Sequence, residues 1–297
     1  MYYHENTIVY WNGEFVKAAE AKGSLYDQSL HYGYAVFEGI RSYNTQAGTR
    51  IFKAAEHYDR LEFSAKAVQM PYPFKTESLI DISYELLERN NLSDAYLRPL
   101  VSCTPNMQLT KGKAAQLFIA AWEWGAYLGE KLLRLSLSSY RRISPASFVV
   151  EAKVSGHYIN SIMATQEAKD KGFDEALLLD IEGYVAEGPG ANFFIEKDGV
   201  LYTPQLGSIL PGITRATVLE ICQELDIEVI ERKLTPEEVK NADSAFMCGT
   251  AAEVIGVASL DDYAFPKAWN ESLGAIIQKA YKKLVLEKDY RNVLSVA

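Results

Sequence analysis

The stretch VVEAKVSGHYINS, residues 149–161, sets one lysine among small and apolar neighbours, and its reading decides which fold surrounds it. Val149, Val150, Ala152, Val154 and Gly156 flank Lys153, and Tyr158 opens what reads as a helix. Taken alone, such a lysine is a solvated charge at a strand end. Upstream, RLSLSSY (134–140) alternates as a half-buried strand; downstream, Ile159, Ile162 and Met163 begin a helix that Gly172 ends. Further on, EALLLD (175–180), NFFIE (192–196), VLYTP (200–204) and SAFMCG (244–249) read as short strands. Lys197-Asp198-Gly199 is a hairpin signal between two of them. Residues 213–225 form a helix with Val218, Ile221, Cys222 and Leu225 inward, and a last helix spans roughly 266–287.

The first part of the chain mixes short strands with two helices. Tyr58, Leu61, Ala65 and Val68 share one helical face, and Leu79, Ile82, Leu86 and Leu87 another. AYLRPLVS (95–102) and AQLFIAAW (115–122) read as strands, and EWGAYLGEK (123–131) as the connection between two domains. Intermixed strands and helices on both sides of that connection give an α+β (mixed α/β) chain, with 1–123 as a smaller N-terminal domain, 124–133 as a linker and 134–297 as a larger domain.

At 297 residues the chain is long enough for two real cores. Its net charge of −9 argues against a nucleic-acid partner. No apolar run reaches the ~18 residues of a membrane span, and the N-terminus has no secretion signal. Cys103, Cys222 and Cys248 are widely spaced, as befits reduced thiols in a cytoplasm, and neither they nor the four histidines have metal-ligand spacing, so no metal is expected. Aromatic residues at 12% hint at a lined pocket or a large interface. There is no Walker loop, no dinucleotide glycine pattern at Gly188-Pro189-Gly190, and no nucleophile elbow.

What remains is a lysine, a glutamate, a helix start and an arginine. The segments LHYGYAVFEGIRSY (30–43), HYDRL (57–61), AYLRPL (95–100), WEWGAYLG (122–129), EAKVSGHYINS (151–161), VAEGPGANFF (185–194), LPGITR (210–215) and CGTAAE (248–253) together resemble fold-type IV pyridoxal 5′-phosphate enzymes, and within them the branched-chain aminotransferases. The resemblance runs from residue 30 to 253 and implies a two-domain fold whose larger domain has a β-barrel-like core. It implies that Lys153 is the catalytic amine, able to condense with the cofactor aldehyde and to move a proton; partial burial of an amine frees its lone pair for such work. Glu187, 34 residues on (187 − 153), would pair with the pyridine nitrogen. A charge pair at ~4 Å is worth roughly 4 kcal/mol at intermediate dielectric, enough to decide that nitrogen's protonation. The flanking Gly188, Gly190 and Asn192 favour this over a solvated loop carboxylate.

LPGITR starts a helix, so the amides of Ile213 and Thr214 can face an anion; each of Thr214 and Arg60 alone would read as a cap and a surface residue. By resemblance Arg60, Gly249 and Thr250 join them around the phosphate, Asn192 lies in the cofactor site, and Tyr158 bonds the cofactor's phenolic oxygen. The same resemblance assigns Phe37, Gly39, Tyr158 and Trp124 to the side-chain pocket, Tyr96, Thr250 and Ala251 to the substrate's α-carboxylate, and Arg98, Tyr127 and a partner-derived Tyr32 to the far carboxylate of glutamate. It also implies a homodimer, or a higher homo-oligomer, with shared active sites in the cytoplasm. Aminodeoxychorismate lyase and D-amino-acid transaminase are the alternatives of the same fold, and VFEGIR disfavours both. Three features depart from the expected pattern: Tyr34 in place of a small residue, Ala191 in place of a glutamate, and a loop at 103–116 without glycine richness.

Overall fold

The computed structural model describes residues 3–125 and 131–291 and divides into two compact units. Unit 1 holds the described residues up to 125 together with 152–157, and unit 2 holds 131–151 with 158–291. The contiguous boundaries expected from sequence therefore miss one excursion: the segment carrying Lys153 packs with unit 1.

Unit 1 contains β1 (Ile8–Trp11), β2 (Glu14–Lys17), α1 (Gln28–Tyr32), β3 (Val36–Phe37), β4 (Ile40–Thr45), β5 (Gly48–Ile51), α2 (Ala54–Ala67), α3 (Thr76–Arg89), β6 (Ala95–Cys103) and β7 (Ala115–Trp122). The short α1 was not expected. The sheet runs β2-β1-β7-β6-β4-β5, antiparallel throughout, with β3 added to β6. In β7, Leu117, Ile119 and Ala121 are buried in alternation, so one face of the central strands forms the core. The two long helices cover it. Tyr58, Leu61 and Ala65 of α2 and Leu79, Leu86 and Leu87 of α3 belong to that cluster. Val68, the cap of α2, and Ile82 are half-buried and pack against it. Ser83 is buried instead, bonded through its hydroxyl to Tyr58.

Residues 152–157 join unit 1 as an added edge. Val154 bridges Val36, the Ser155 N–H donates to the Ala35 carbonyl at 2.8 Å, and the Gly156 N–H to the Gly33 carbonyl at 3.0 Å. Gly33 ends α1 at φ 66°, and a Cβ there would lie 2.7 Å from the Gly156 Cα. Two glycines make this backbone approach possible.

Unit 2 contains β8 (Leu133–Arg141), α4 (Tyr158–Asp170), β9 (Glu175–Leu179), β10 (Asn192–Lys197), β11 (Val200–Thr203), α5 (Ile213–Glu224), β12 (Val229–Glu231), α6 (Pro236–Val239), β13 (Ser244–Gly249), β14 (Glu253–Leu260), β15 (Tyr263–Ala264) and α7 (Leu273–Val285). The sheet order is β12-β11-β10-β13-β14-β8-β9, with β15 on β14. Its ends are linked. Leu179 of β9 bridges Val185, whose N–H donates at 2.8 Å to the Leu234 carbonyl just past β12. That linkage gives the core its barrel-like character. β9 and β13 are buried on both faces, as strands covered by helices must be. Asp198 and Gly199, both at positive φ, make the two-residue turn between β10 and β11.

Val218, Ile221, Cys222 and Leu225 point inward from α5 and its cap, as the period predicts. In α4 the buried face is Ser161, Ala164 and Ala168, while Ile159, Ile162 and Met163 are exposed at 62%, 66% and 43%. The last helix is shorter than expected. Ser272, extended at ψ 154°, accepts the Ala275 N–H and starts α7 afresh after a single 3₁₀ turn at Trp269–Glu271.

Glu196 of β10 ties that helix start down. Its carboxylate is buried and accepts from the Leu273 N–H at 2.8 Å and from the Lys267 ammonium. Glu196→Ala is expected to destabilise unit 2 by about 3 kcal/mol, the low end for a broken buried pair because Lys267 can still reach water. The thermal midpoint should fall by roughly 6–12 °C. A loss below about 2 °C would show that the pair contributes nothing beyond an exposed one.

Candidate active site

In unit 1 the site is built around β3 and the segment that pairs with it. The Lys153 main chain is held from two sides. Its N–H donates to the Ser64 hydroxyl of α2 at 2.9 Å, and its carbonyl accepts from the Phe37 N–H at 3.1 Å. Ser64 is fully buried, so the peptide before Lys153 is fixed in a dry environment. The Lys153 ammonium lies 4.9 Å from the centre of the Phe37 ring, a cation–π distance. Arg98 of β6 shares that ring at 4.7 Å and donates to the Tyr96 hydroxyl at 3.1 Å. The Arg98 Nε is buried with no hydrogen-bond partner among the described residues. Tyr96 packs edge-on against Trp124, 4.5 Å between ring centres, and its hydroxyl fills the space that a Cβ on Gly39 would need. Phe37, Gly39, Tyr96, Arg98, Trp124 and Lys153 therefore form one cluster.

Arg60 enters that unit from α2 through a carboxylate that sequence reasoning passed over. Glu38, fully buried, accepts Arg60 Nε at 2.7 Å and Arg60 Nη2 at 2.8 Å. His57, one turn earlier on α2, meets the same carboxylate through Nδ1 at 2.7 Å. Burial pushes the Glu38 carboxyl up, but the Arg60 guanidinium and the His57 bond outweigh it and hold it well below the usual carboxylate range. Burial draws His57 below its ordinary value despite Glu38. Glu38 and Arg60 thus form the charged pair, with His57 a neutral donor.

Two tyrosines near α1 find other partners. Tyr34 points into the core: its hydroxyl donates to the Val68 carbonyl at 2.9 Å and its ring packs on the hydrophobic cluster. Tyr32, expected to serve a partner subunit's site, is exposed at 45% and donates to the Met107 carbonyl. Tyr127 lies outside the described residues.

In unit 2 the centre is Glu187, buried where the chain leaves β9's partner segment. Arg142 Nε donates to its Oε1 at 2.6 Å, Asn192 Nδ2 to Oε2 at 3.1 Å, and the Leu210 N–H to both oxygens at 3.2 and 3.3 Å. Arg142 is itself buried and its Nη1 has no partner among the described residues. Asn192 also donates to the Leu210 carbonyl, so β10 and the loop before α5 are locked together. Ile213 and Thr214 follow directly as the first turn of α5, with no side chain capping it and Thr214 buried. Gly249 ends β13 beside Gly190, and Thr250 and Ala251 follow, half-buried. Tyr158 is the first residue of α4, also half-buried. Among the described residues no cluster of histidine, cysteine or carboxylate side chains could hold a metal ion.

A model of the amino-transferase class IV family matches residues 35–260. The chain belongs to that family. It is 41% identical over 287 residues to a branched-chain-amino-acid aminotransferase of Pseudomonas aeruginosa, covering 95% of this chain and 94% of that one. It is 40% identical over 261 residues to the Escherichia coli K12 enzyme of the same name, covering 85% and 84%. Among solved structures it superposes on the branched-chain aminotransferase of Thermoproteus uzoniensis with norvaline at a TM-score of 0.91, with 37% identity over 95% of this chain and 96% of that one. It superposes on the branched-chain amino acid aminotransferase of Thermobaculum terrenum in its PLP-form at 0.90, with 33% identity over 97% of this chain and 98% of that one.

For a class IV aminotransferase, the residues missed from sequence are Glu38, His57, Ser64 and Arg142. Glu38 stands inside the quoted VFEGIR segment, a carboxylate in an otherwise apolar run, which is the signal that could have found it. His57, Ser64 and Arg142 carry no such mark. Their importance depends on which partner the fold delivers.

Proposed function

We propose that this chain is a branched-chain-amino-acid transaminase, exchanging the amino group of L-leucine, L-isoleucine or L-valine for the oxo group of 2-oxoglutarate to give the branched-chain 2-oxo acid and L-glutamate. The observation that carries the reading is Lys153, whose peptide is fixed by Ser64 and Phe37 while its ammonium stands at the Phe37 ring.

The donor set fits pyridoxal 5′-phosphate. An amine, a buried carboxylate held by Arg142, an arginine gripped by Glu38 and an uncapped helix start match its aldehyde, ring nitrogen and phosphate in kind. The orphaned Nη1 of buried Arg142 agrees with a further polar group being bound there. When bound, the cofactor supplies a carbonyl for the substrate amine and a ring that accepts electron density from Cα. Lys153 Nζ takes the Cα proton and returns one in the second half of the cycle. Glu187, kept in place by Asn192, would supply a fixed negative charge to the ring nitrogen. Arg60 in unit 1 would meet the phosphate's charge, Thr250, the Gly249 segment and the amides of Ile213 and Thr214 in unit 2 would offer it hydrogen bonds, and Tyr158 would bond the phenolic oxygen. Phe37, Gly39 and Trp124 form the wall for an apolar side chain, and Tyr96, Thr250 and Ala251 receive the α-carboxylate.

Arg98 is the residue that lets one site take both leucine and glutamate. Its buried Nε, without a hydrogen-bond partner among the described residues, suits the far carboxylate of a dicarboxylic substrate, which would satisfy it. Arg98→Ala is expected to lower kcat/KM for 2-oxoglutarate by about 30-fold or more, the effect of roughly 2 kcal/mol, and the leucine half-reaction by less than about threefold. Single-turnover kinetics with each substrate check it, and a loss of leucine turnover with glutamate turnover intact would remove Arg98 from this role. The reading as a whole is tested by a half-reaction screen of L-leucine, D-alanine and aminodeoxychorismate. L-Leucine should react fastest by a wide margin, and preference for either of the others would overturn the assignment.

The reading includes a homodimer with shared sites, working in the cytoplasm. Unit 1 exposes Leu25, Tyr26, Leu30 and Leu109 at 64–86%, and unit 2 exposes Ile159 and Ile162. Apolar residues of this size in groups suit a protein interface. Three buried free cysteines suit a reducing compartment. Among the described residues no helix is long and apolar enough to cross a membrane.

A further inference from the structure

Of the groups assigned above to substrate or cofactor, Glu38 bonds Arg60 through its side chain and otherwise only the main-chain N–H of Gly39, and it is among the most completely buried charges in unit 1. Its own backbone is fixed, since the Glu38 N–H donates to the Pro99 carbonyl of β6 at 2.9 Å. Its side chain then reaches α2, where Oε1 takes Arg60 Nε and Oε2 takes Arg60 Nη2, at 2.7 and 2.8 Å. That is a two-point grip on one edge of a planar guanidinium. His57 and the Gly39 N–H, at 2.7 and 3.3 Å on Oε2, stop the carboxylate from turning with its guest.

A free arginine samples many rotamers, and a point charge alone does not set the plane of the fork. A buried carboxylate behind it does both jobs: it removes the freedom before any ligand arrives, and it fixes the plane. The same carboxylate also offsets part of the arginine's positive charge, which weakens attraction for an anion. The two effects have opposite signs, so their balance is measurable.

We propose that Glu38 is the positioning residue for Arg60, and that by fixing the orientation of the guanidinium it lets the site prefer a phosphorylated pyridoxal over the unphosphorylated one. This rests on the reading of Arg60 as a phosphate-binding residue. The test is a titration of the full-length chain, stripped of cofactor, with pyridoxal 5′-phosphate and with pyridoxal, following protein fluorescence. Glu38→Gln keeps the volume but loses one arm of the grip. It should weaken pyridoxal 5′-phosphate by about tenfold or more while leaving pyridoxal within about threefold. In an Arg60→Ala background the same substitution should add less than about twofold, because a residue acting only through Arg60 has nothing left to act on. Arg60→Lys keeps the charge and loses the fork, so it should lose most of the preference for the phosphorylated form.

Equal weakening of both ligands by Glu38→Gln would mean a structural role and overturn the proposal. So would tighter binding of pyridoxal 5′-phosphate, which would mean that charge outweighs geometry. An undiminished effect in the Arg60→Ala background would overturn it too. If Glu38→Gln does not fold, Arg60→Lys decides alone, since a retained preference there removes the need for a fixed plane. An Arg60→Ala variant that still prefers the phosphorylated form is a different failure: it removes Arg60 from the phosphate, and the positioning proposal falls with it.

Discussion

Lys153→Ala is expected to lower the steady-state rate of leucine transamination by about 10⁴-fold or more, while the thermal midpoint stays within a few degrees. The two parts of this expectation come from different atoms of one residue. The main chain of Lys153 does the structural work, through Ser64 and Phe37, and alanine keeps both of those hydrogen bonds. The side chain ends in an ammonium at cation–π distance from the Phe37 ring, an interaction worth about 0.5–1 kcal/mol at a partly exposed site. Stability therefore changes little, and activity is lost because no other amine takes its place. Lys153→Arg should be as inactive as Lys153→Ala, since a guanidinium stays protonated and offers no lone pair. A small added amine, such as methylamine, should restore a fraction of the rate to the alanine variant only. Initial rates with L-leucine and 2-oxoglutarate, alongside thermal unfolding of each variant, check these outcomes. Residual activity within about tenfold of the unaltered enzyme would remove Lys153 from the proton transfer.

The parts of this fold that were legible in the sequence are those governed by local periodicity. The strand at 115–122 alternates because one face meets a core, and it pairs along nearly its whole length with 95–102, a run rich in branched and aromatic residues. The face of α2 made by Tyr58, Leu61 and Ala65 follows from a 3.6-residue period. Asp198-Gly199 announces its turn by composition alone. What the sequence did not disclose depends on chain segments far apart. That residues 152–157 pack with unit 1 follows from the approach of Gly156 to Gly33, and nothing near Lys153 encodes its partner. The apolar residues of α4 show the same limit from the other side. A period identifies a stripe, but Ile159 and Ile162 face outward and the small Ser161, Ala164 and Ala168 face the sheet. Among the candidate site residues, Lys153, Glu187 and Arg60 were named from motif and resemblance. Their supports, Ser64, Arg142 and Glu38, were not, because a charged or hydroxyl side chain reads as solvent-facing until the fold brings a partner to it.

Glu187→Gln separates what that carboxylate does for stability from what it does for chemistry. Glutamine has nearly the same shape, and one of its ends can still accept from Asn192 or the Leu210 N–H. The charge is gone, however, and Arg142, with 8% of its side chain exposed, loses its partner at 2.6 Å. Stranding a buried cation costs about 3 kcal/mol, so the variant should unfold roughly 6–12 °C earlier. The rate with L-leucine should also fall, by about 10²–10³-fold, the usual effect of removing one preorganised electrostatic contact. Either loss by itself is ambiguous, because a loosened site is also a slower one. Adding Arg142→Gln resolves it. The double variant replaces the ion pair with two neutral amides that can bond each other, and buried pairs exchanged as a unit often regain stability. The thermal midpoint should return most of the way, and the rate should not. If both recover together, Glu187 acts only as a structural anchor for Arg142. If the Glu187→Gln rate stays within about threefold of the unaltered enzyme, no negative charge is needed at that position, and the assignment of Glu187 to the ring nitrogen fails.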